Sequence, residues 1–361
     1  MGKGIAVMVT GVGGGGFGEQ IIKALRLSDL NYEIIGGDMS PYSKGLTAVD
    51  QPYILPPATD PNYLHSVLGV CRKHKVRALF AGSEPELKQM SNERDLIQKE
   101  GLFLPINPKS VIEVCLDKSK TTSFLTDNGF FAPKTITIRS AVDIKLVDFY
   151  PAVLKPSLGA GGSANIMLAQ SEAELCAFAE HLLSIYPEFI VQEYIGTPES
   201  EFTVGVLHSM DGQFINSIAL KRAILSALSN RLKIPNRSGN EKLGKILAIS
   251  SGVSQGEIGK FPEVTVPCEE IARKLGALGA INIQCRYIDE KVYVFEINPR
   301  FSGTTSLRAM AGFNEPDILI RTHVLGHAVD PDFSFRHGHI MRGLQDTLIP
   351  EHQIPIAKDL L

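Results

Sequence analysis

The chain has 361 residues, 44% of them hydrophobic and 21% charged, enough apolar material for two or three compact lobes of a globular protein. A formal net charge of −3 leaves no electrostatic footprint for nucleic acid or an anionic membrane, and no apolar run approaches the ~18–20 residues of a membrane span. The opening MGKGIAVMVTG runs straight into a strand, lacks the small-residue cleavage site of a signal peptide and is a poor myristoylation match, so a cytoplasmic protein is expected. Cys71, Cys115, Cys176, Cys268 and Cys285 form no CxxC and no metal spacing, and buried reduced thiols are the expectation.

In chain order, Ile5–Thr10 reads as a buried parallel strand, followed by a glycine turn and a helix from about Phe17 to Leu27. YEIIGGD reads as a second strand ending at Asp38, NYLHSVLGVCRKHK has helical spacing, and VRALFAGSEPEL is a strand leading to a helix with Ser83 as cap and Pro85 in the first turn. This alternation predicts an open, mostly parallel α/β sheet over residues 1 to about 112. The character then changes. Asp117 caps a short helix that ends near Gly129, PAVLKPSLGAGGSANIML is strand, glycine-rich loop and strand, and the segments from FIVQEYIG onward alternate like antiparallel strands with a hairpin turn at Asp211–Gly212. A helix then precedes two strands joined at Asp289–Glu290, and the tail holds a helix in PDILIRTHVLGH and a strand in HIMRGLQDTLI. The basic stretch 221–245 has no clean period and reads as a mobile loop.

Two sets of residues carry chemistry. In TGVGGGGFGEQ two overlapping GxGxxG patterns sit between strand and helix, and Asp38 lies 20 residues beyond Gly18 at a strand end, where a carboxylate could meet a ribose hydroxyl. Four consecutive glycines satisfy many spacings by accident, so a dinucleotide loop and a tight strand–helix turn are both open from these residues alone. The second set is richer. Lys155 ends a strand just before a loop holding Ser157, Gly159, Gly161, Gly162 and Ser163, whose backbone N–H groups could wrap a polyphosphate beside the lysine. Further on, Glu296 and Asn298 are i and i+2 on one strand face, with Gln284 on the paired strand. Three oxygen ligands on one face suit Mg²⁺, with Mn²⁺ as an alternative, and Arg300 follows where it could meet a phosphoryl group.

These residues resemble the ATP-grasp ligases, nearest in flavour to the carbamoyl-phosphate synthase large subunit; FEINPRFSGTTSLRAMAGF looks like that family's metal-binding strand and following helix. The resemblance runs from Gly4 to about Asp317. It implies a mixed α/β and α+β fold: an N-terminal Rossmann-like pre-ATP-grasp domain (1–112), a central small lobe with a glycine-rich flap (113–195) and a C-terminal lobe with the metal site (196–361), the last two built on antiparallel sheets. It also implies that Lys118 and Lys155 reach the ATP phosphates, that the 157–163 loop covers them, and that Glu193 and Ile195 form the adenine hinge. Glu201 then holds the ribose, Glu296 and Asn298 bind metal with Gln284 beside them, and Arg300 and Lys155 serve phosphoryl transfer. On this reading the N-terminal loop, including Gly14 and Gly15, faces the non-nucleotide substrate, with Asp38, Glu84, Lys221 and Arg222 as further substrate contacts.

One such unit is present where the synthase carries two, and nothing resembles an ammonia-tunnel partner or the substrate segment of a biotin carboxylase. The expectation is therefore a stand-alone ligase, with ATP and Mg²⁺, that activates a small-molecule carboxylate as an acyl phosphate for attack by an amine. The family also implies a homodimer. Two other readings compete: an NAD(P)-dependent oxidoreductase using the glycine loop, which leaves Glu296 and Asn298 unexplained, and a non-catalytic ATP-binding protein.

Overall fold

The computed structural model describes residues 4–13, 16–158 and 165–344. Gly14, Gly15, Gly161, Gly162 and Ser163 lie outside the described residues. The N-terminal sheet holds β1 (Ile5–Thr10), β2 (Tyr32–Asp38), β3 (Gln51–Ile54) and β4 (Ala78–Phe80), all parallel, in the order β3-β2-β1-β4. β1 is apolar on both faces because both are covered. Val7 and Val9 pack with Ile21, Ile22 and Leu25 of α1 (Phe17–Arg26), whereas Ala6 and Met8 pack with Val67 and Leu68 of α2 (Tyr63–His74). The turn into α1 is tight. Gly11 has φ +57°, and a Cβ at Gly18 would lie 2.4 Å from the Gly11 carbonyl oxygen, so at least these two glycines serve backbone packing. α3 (Glu84–Asn92) starts as expected, with Ser83 Oγ accepting from the Glu86 N–H, and α4 (Arg94–Lys99) and α5 (Lys109–Leu116) follow. Asp117 caps α6 (Lys118–Asp127), its Oδ1 accepting from Ser119 and Lys120 N–H at 2.9 and 3.1 Å.

The small lobe is the antiparallel sheet β5 (Thr135–Ile138), β6 (Ala152–Pro156), β7 (Met167–Ala169) and β8 (Phe189–Glu193), ordered β5-β8-β6-β7. Leu175, Ala179 and Leu182 of α7 (Glu172–Leu183) close its core against Leu154, Phe189 and Val191.

The large sheet is built from β9 (Glu201–His208) and β10 (Phe214–Arg222), then, beyond the hairpin β11 (Asn230–Pro235) and β12 (Ile246–Ser250), from β13 (Gly256–Gly259), β14 (Ala280–Ile288), β15 (Lys291–Asn298) and β16 (Gly338–Ile340). Its order is β15-β14-β9-β10-β13-β16, antiparallel throughout. The two expected turns are present: Gly212 has φ +91°, and Asp289 and Glu290 have φ 47° and 60°, the two left-handed residues that a tight hairpin needs. α8 (Pro262–Leu275) packs on one face through Val264, Cys268 and Ile271. On the other face α9 (Thr305–Ala311) and α10 (Glu315–His323) bring Leu307, Ile318 and Leu319 into the same core as α1 and β1, which joins the N-terminal lobe to the large sheet.

Three expectations are corrected. The 221–245 stretch is not a loop throughout: the large sheet runs to Arg222, and 230–235 pairs antiparallel with 246–250 because Leu232 and Ile234 pack with Leu243, Leu247 and Tyr194. The final strand covers only Gly338–Ile340 among the described residues. Cys176 is exposed on α7, while the other four thiols are buried.

α9 and α10 share a fully buried ion pair. Arg308 donates to Glu315 Oε1 at 2.9 Å with side chains 1% and 0% exposed, and it also donates to Asn282 Oδ1 at 2.5 Å. The guanidinium lies against β9 at Gly205, where any Cβ would sit 2.4 Å from it. Glu315→Ala should therefore destabilise the protein by about 3–5 kcal/mol in urea unfolding, since it strands a buried cation. Arg72→Ala, which breaks the exposed pair with Glu100, should change stability by less than about 1 kcal/mol.

Candidate active site

A cleft opens between the small lobe and the large sheet, and it gathers most of the residues singled out in the sequence. Lys118, Lys155, Glu193, Ile195, Glu201, Arg222, Gln284, Glu296, Asn298 and Arg300 all line it. Five cations (Lys118, Lys155, Arg222, Arg286 and Arg300) meet three carboxylates (Glu193, Glu201 and Glu296), an excess of positive charge that suits a polyanion.

The floor is set by register. Facing β9, Arg286 pairs with Glu201, Gln284 with Thr203 and Asn282 with Gly205; facing β15, Gln284 pairs with Glu296 and Asn282 with Asn298. Period-two alternation thus puts Asn282, Gln284 and Arg286 on the cleft face, while Ile281, Ile283 and Cys285 go into the core on α8. The register of β14 and β15 shifts between Gln284 and Cys285, which leaves Phe295 as an extra, bulged residue. Lys155 uses it: Nζ reaches across from β6 and donates to the Phe295 carbonyl at 3.2 Å and to Gln192 Oε1 at 2.8 Å. Lys155 is buried, and burial pulls its pKa down to about 8, with Lys118 acting in the same direction and Glu296 and Glu201 opposing. Glu296 keeps part of its surface open to the cleft. Burial pushes its pKa up, but Lys118, Lys155, a hydrogen bond from Asn298 Nδ2 at 3.0 Å, and Arg300 outweigh burial and hold it below the usual glutamate range.

Glu201 is buried and doubly paired, with Arg222 Nη1 at 3.3 Å on Oε1 and Arg286 Nη2 at 3.2 Å on Oε2. Arg286 also donates to the Ile195 carbonyl at 2.6 Å and lies 4.4 Å from the Tyr194 ring centre, so it braces the expected hinge. Lys118 N–H donates to the Ser157 carbonyl at 3.2 Å, tying α6 to the start of the glycine-rich loop.

Other expected substrate contacts fare differently. Asp38 is consumed internally: Oδ2 accepts from Gly13 N–H at 2.7 Å, and Oδ1 from Ser43 Oγ at 2.7 Å and Ser40 N–H at 3.0 Å. It holds the glycine loop rather than facing the cleft. Lys221 and Arg222 do not act as a pair, because adjacent strand residues point to opposite faces; Arg222 is buried in the cleft and Lys221 is exposed. Glu84, at the start of α3, bonds Arg300 Nη2 at 2.7 Å.

Asn282 and Arg286 were missed in the sequence reading. The signal was present in NIQCRYI, where polar residues stand at i, i+2 and i+4 of an otherwise apolar strand. Ser302 and Thr304, also lining the cleft, carried no comparable signal.

Residues 246–345 match the family model described as ATP-grasp in the biosynthetic pathway with Ter operon, and residues 10–104 match the PylC-like N-terminal domain. The chain is 25% identical over 298 residues to the carbamoyl phosphate synthase large chain of Thermoanaerobacter sp. (strain X514), covering 80% of this chain. It spans about a quarter (25%) of that relative's length. Over 104 residues it is 36% identical to the coenzyme gamma-F420-2:alpha-L-glutamate ligase of Methanococcus maripaludis, covering 27% of this chain and 35% of the relative. Among solved structures, N5-carboxyaminoimidazole synthetase from Staphylococcus aureus complexed with ADP superposes with a TM-score of 0.63 at 15% identity, covering 89% of this chain and 78% of that one. The L-amino acid ligase from Bacillus licheniformis gives 0.60 at 18%, covering 89% and 74%. With a parallel N-terminal lobe, two antiparallel lobes and the cleft between them in this order, the chain has the fold of the ATP-grasp ligases, and its residues 246–345 carry the match to an ATP-grasp family model.

Proposed function

We propose that the protein is an ATP-dependent carboxylate–amine ligase that releases ADP and forms an amide through an acyl phosphate. The observation that carries this reading is Glu296: a carboxylate held ionised by Lys118, Lys155 and Arg300, on one sheet face with Gln284 and Asn298. An oxygen-only donor set with a single carboxylate fits Mg²⁺, which keeps waters and takes phosphate oxygens. The ion would be held by Glu296 and Asn298 with Gln284 beside it, and when bound it supplies charge neutralisation at the phosphates.

The chain's own residues position and neutralise. Lys118 and Lys155 bring charge to the phosphates from the small-lobe side. Glu201, fixed by Arg222 and Arg286, presents a rigid rather than a mobile acid beside the hinge. Arg300 meets the phosphoryl group as it passes to the acid, and the acyl phosphate then reacts with the amine, releasing phosphate. The oxidoreductase reading loses its ribose partner, since Asp38 is already engaged by Gly13, Ser40 and Ser43.

The reading is tested by supplying MgATP, hydroxylamine and pooled carboxylic acids. ADP and a hydroxamate should appear together with one pool, and ADP without hydroxamate from every pool would remove acyl-phosphate chemistry. With the acid identified, Glu296→Ala should lower ADP release by about a hundredfold or more while the protein stays folded. Turnover near the wild-type rate would remove the metal assignment.

A pH dependence also follows. In the free protein Lys155 loses its proton above pH about 8, and the phosphates favour its charged form. MgADP affinity should be flat just below that pH and fall by up to about tenfold per unit above it, because binding must then take up a proton. Calorimetry on Lys155→Met should show weaker binding without that slope.

A further inference from the structure

Arg300 follows β15 and is gripped from both lobes. Nη2 donates to Asn298 Oδ1 at 2.9 Å and to Glu84 Oε1 at 2.7 Å, and Nη1 donates to the Phe301 carbonyl at 3.0 Å. The guanidinium lies 4.3 Å from the ring centre of Phe17. Glu84 and Phe17 are the first residues of α3 and α1, where the parallel sheet ends at β4 and β1. This is the crevice at the carboxyl ends of the strands, where α/β sheets carry their chemistry. After these contacts Arg300 Nε is a buried donor without a partner among the described residues. With Nη1 and Nη2 tied down, the cleft-lining guanidinium is held in one position and orientation at the cleft wall.

We propose that Glu84 is a positioning residue for Arg300. It fixes the guanidinium at the cleft wall, beside the group in transfer, and through this bond the N-terminal lobe completes the phosphoryl-transfer site. The inference rests on the ligase reading above. Asn298 alone would offer Nη2 a neutral acceptor, whereas a carboxylate makes the shorter and stronger bond. The pair is partly screened but not exposed, with side chains 14% and 24% accessible, so the carboxylate orients Arg300 without burying it as a neutralised pair. An arginine fixed beforehand needs no ordering at the moment of reaction. Glu84 acts only through Arg300. Its neighbour Glu86 cannot substitute, because its Oε2 is taken by the Ser83 hydroxyl and the Gly82 N–H within the lobe.

The test uses the full chain and needs no identified acid. Calorimetry measures MgADP affinity with and without aluminium fluoride, a mimic of the phosphoryl group in transfer. In the wild type, aluminium fluoride should tighten binding by about a hundredfold. Glu84→Ala should lose about tenfold of that gain and Glu84→Gln, which keeps an acceptor, less, with MgADP affinity and melting temperature unchanged in both. Arg300→Ala should lose the gain, and adding Glu84→Ala to it should change nothing further, because one residue acts through the other. An undiminished gain in Glu84→Ala, or equal losses with and without aluminium fluoride, overturns the inference while leaving the ligase reading intact. A wild type that binds MgADP but gains nothing overturns the placement of Arg300 and the inference with it. A wild type that does not bind MgADP overturns the ligase reading itself.

Discussion

Glu296 has to stay ionised deep in a cleft whose burial works against its charge. Lys118 comes from the N-terminus of α6, Lys155 from β6 of the small lobe, and Arg300 from the end of β15, so three separate segments must be in place to hold one carboxylate negative. The dependence is mutual. Lys155 is itself buried, and Glu296 and Glu201 are what oppose the loss of its proton. The carboxylate and its cations therefore form one electrostatic unit, and the two lobes are joined through it.

The large sheet makes this unit precise. β14 places alternate polar residues on the cleft face, and each meets a named partner across the register. The bulge at Phe295 interrupts the ladder where Lys155 needs an acceptor. On this same face Asn282 is held by Thr203 Oγ1 at 2.8 Å and by Arg308, which in turn is anchored by Glu315. A chain of buried hydrogen bonds of this kind has little freedom to relax, because any broken link leaves a polar group unpaired in a low-dielectric interior. The rigidity of the floor thus comes from outside the cleft, on α9 and α10, the helices that also pack against α1.

The N-terminal lobe contributes in two ways. Its glycine loop is shaped by backbone packing, with Asp38 holding Gly13, Ser40 and Ser43. Its helix starts supply Glu84 and Phe17, which reach Arg300 across the lobe boundary. A parallel sheet ends all its strands at one edge, so the starts of α1 and α3 are necessarily close together and face the same crevice. A fold of this kind does not by itself fix the reaction, which lies in the side chains that line the crevice.

Much of this was legible in the order of residues. Strand and helix types follow from periodicity, Ser83 and Asp117 announce helix starts, and Glu296 and Asn298 must share a face because strands repeat every two residues. These are local properties, determined by neighbours within a few positions. The strand at 230–235 was not legible, since its pairing with 246–250 depends on apolar contacts with Leu168 and Tyr194 from elsewhere in the chain. Nor were the fates of charged groups. Asp38, Lys221, Arg222 and Arg286 are each simply an acid or a base in the sequence, and only the packed structure turns one into a loop strut, sends one to solvent and sets two around Glu201. The physical reason is that a strand's face and a helix's start are set by backbone geometry, whereas the partner of a charge is set by whichever distant segment the tertiary fold brings within about 3 Å of it.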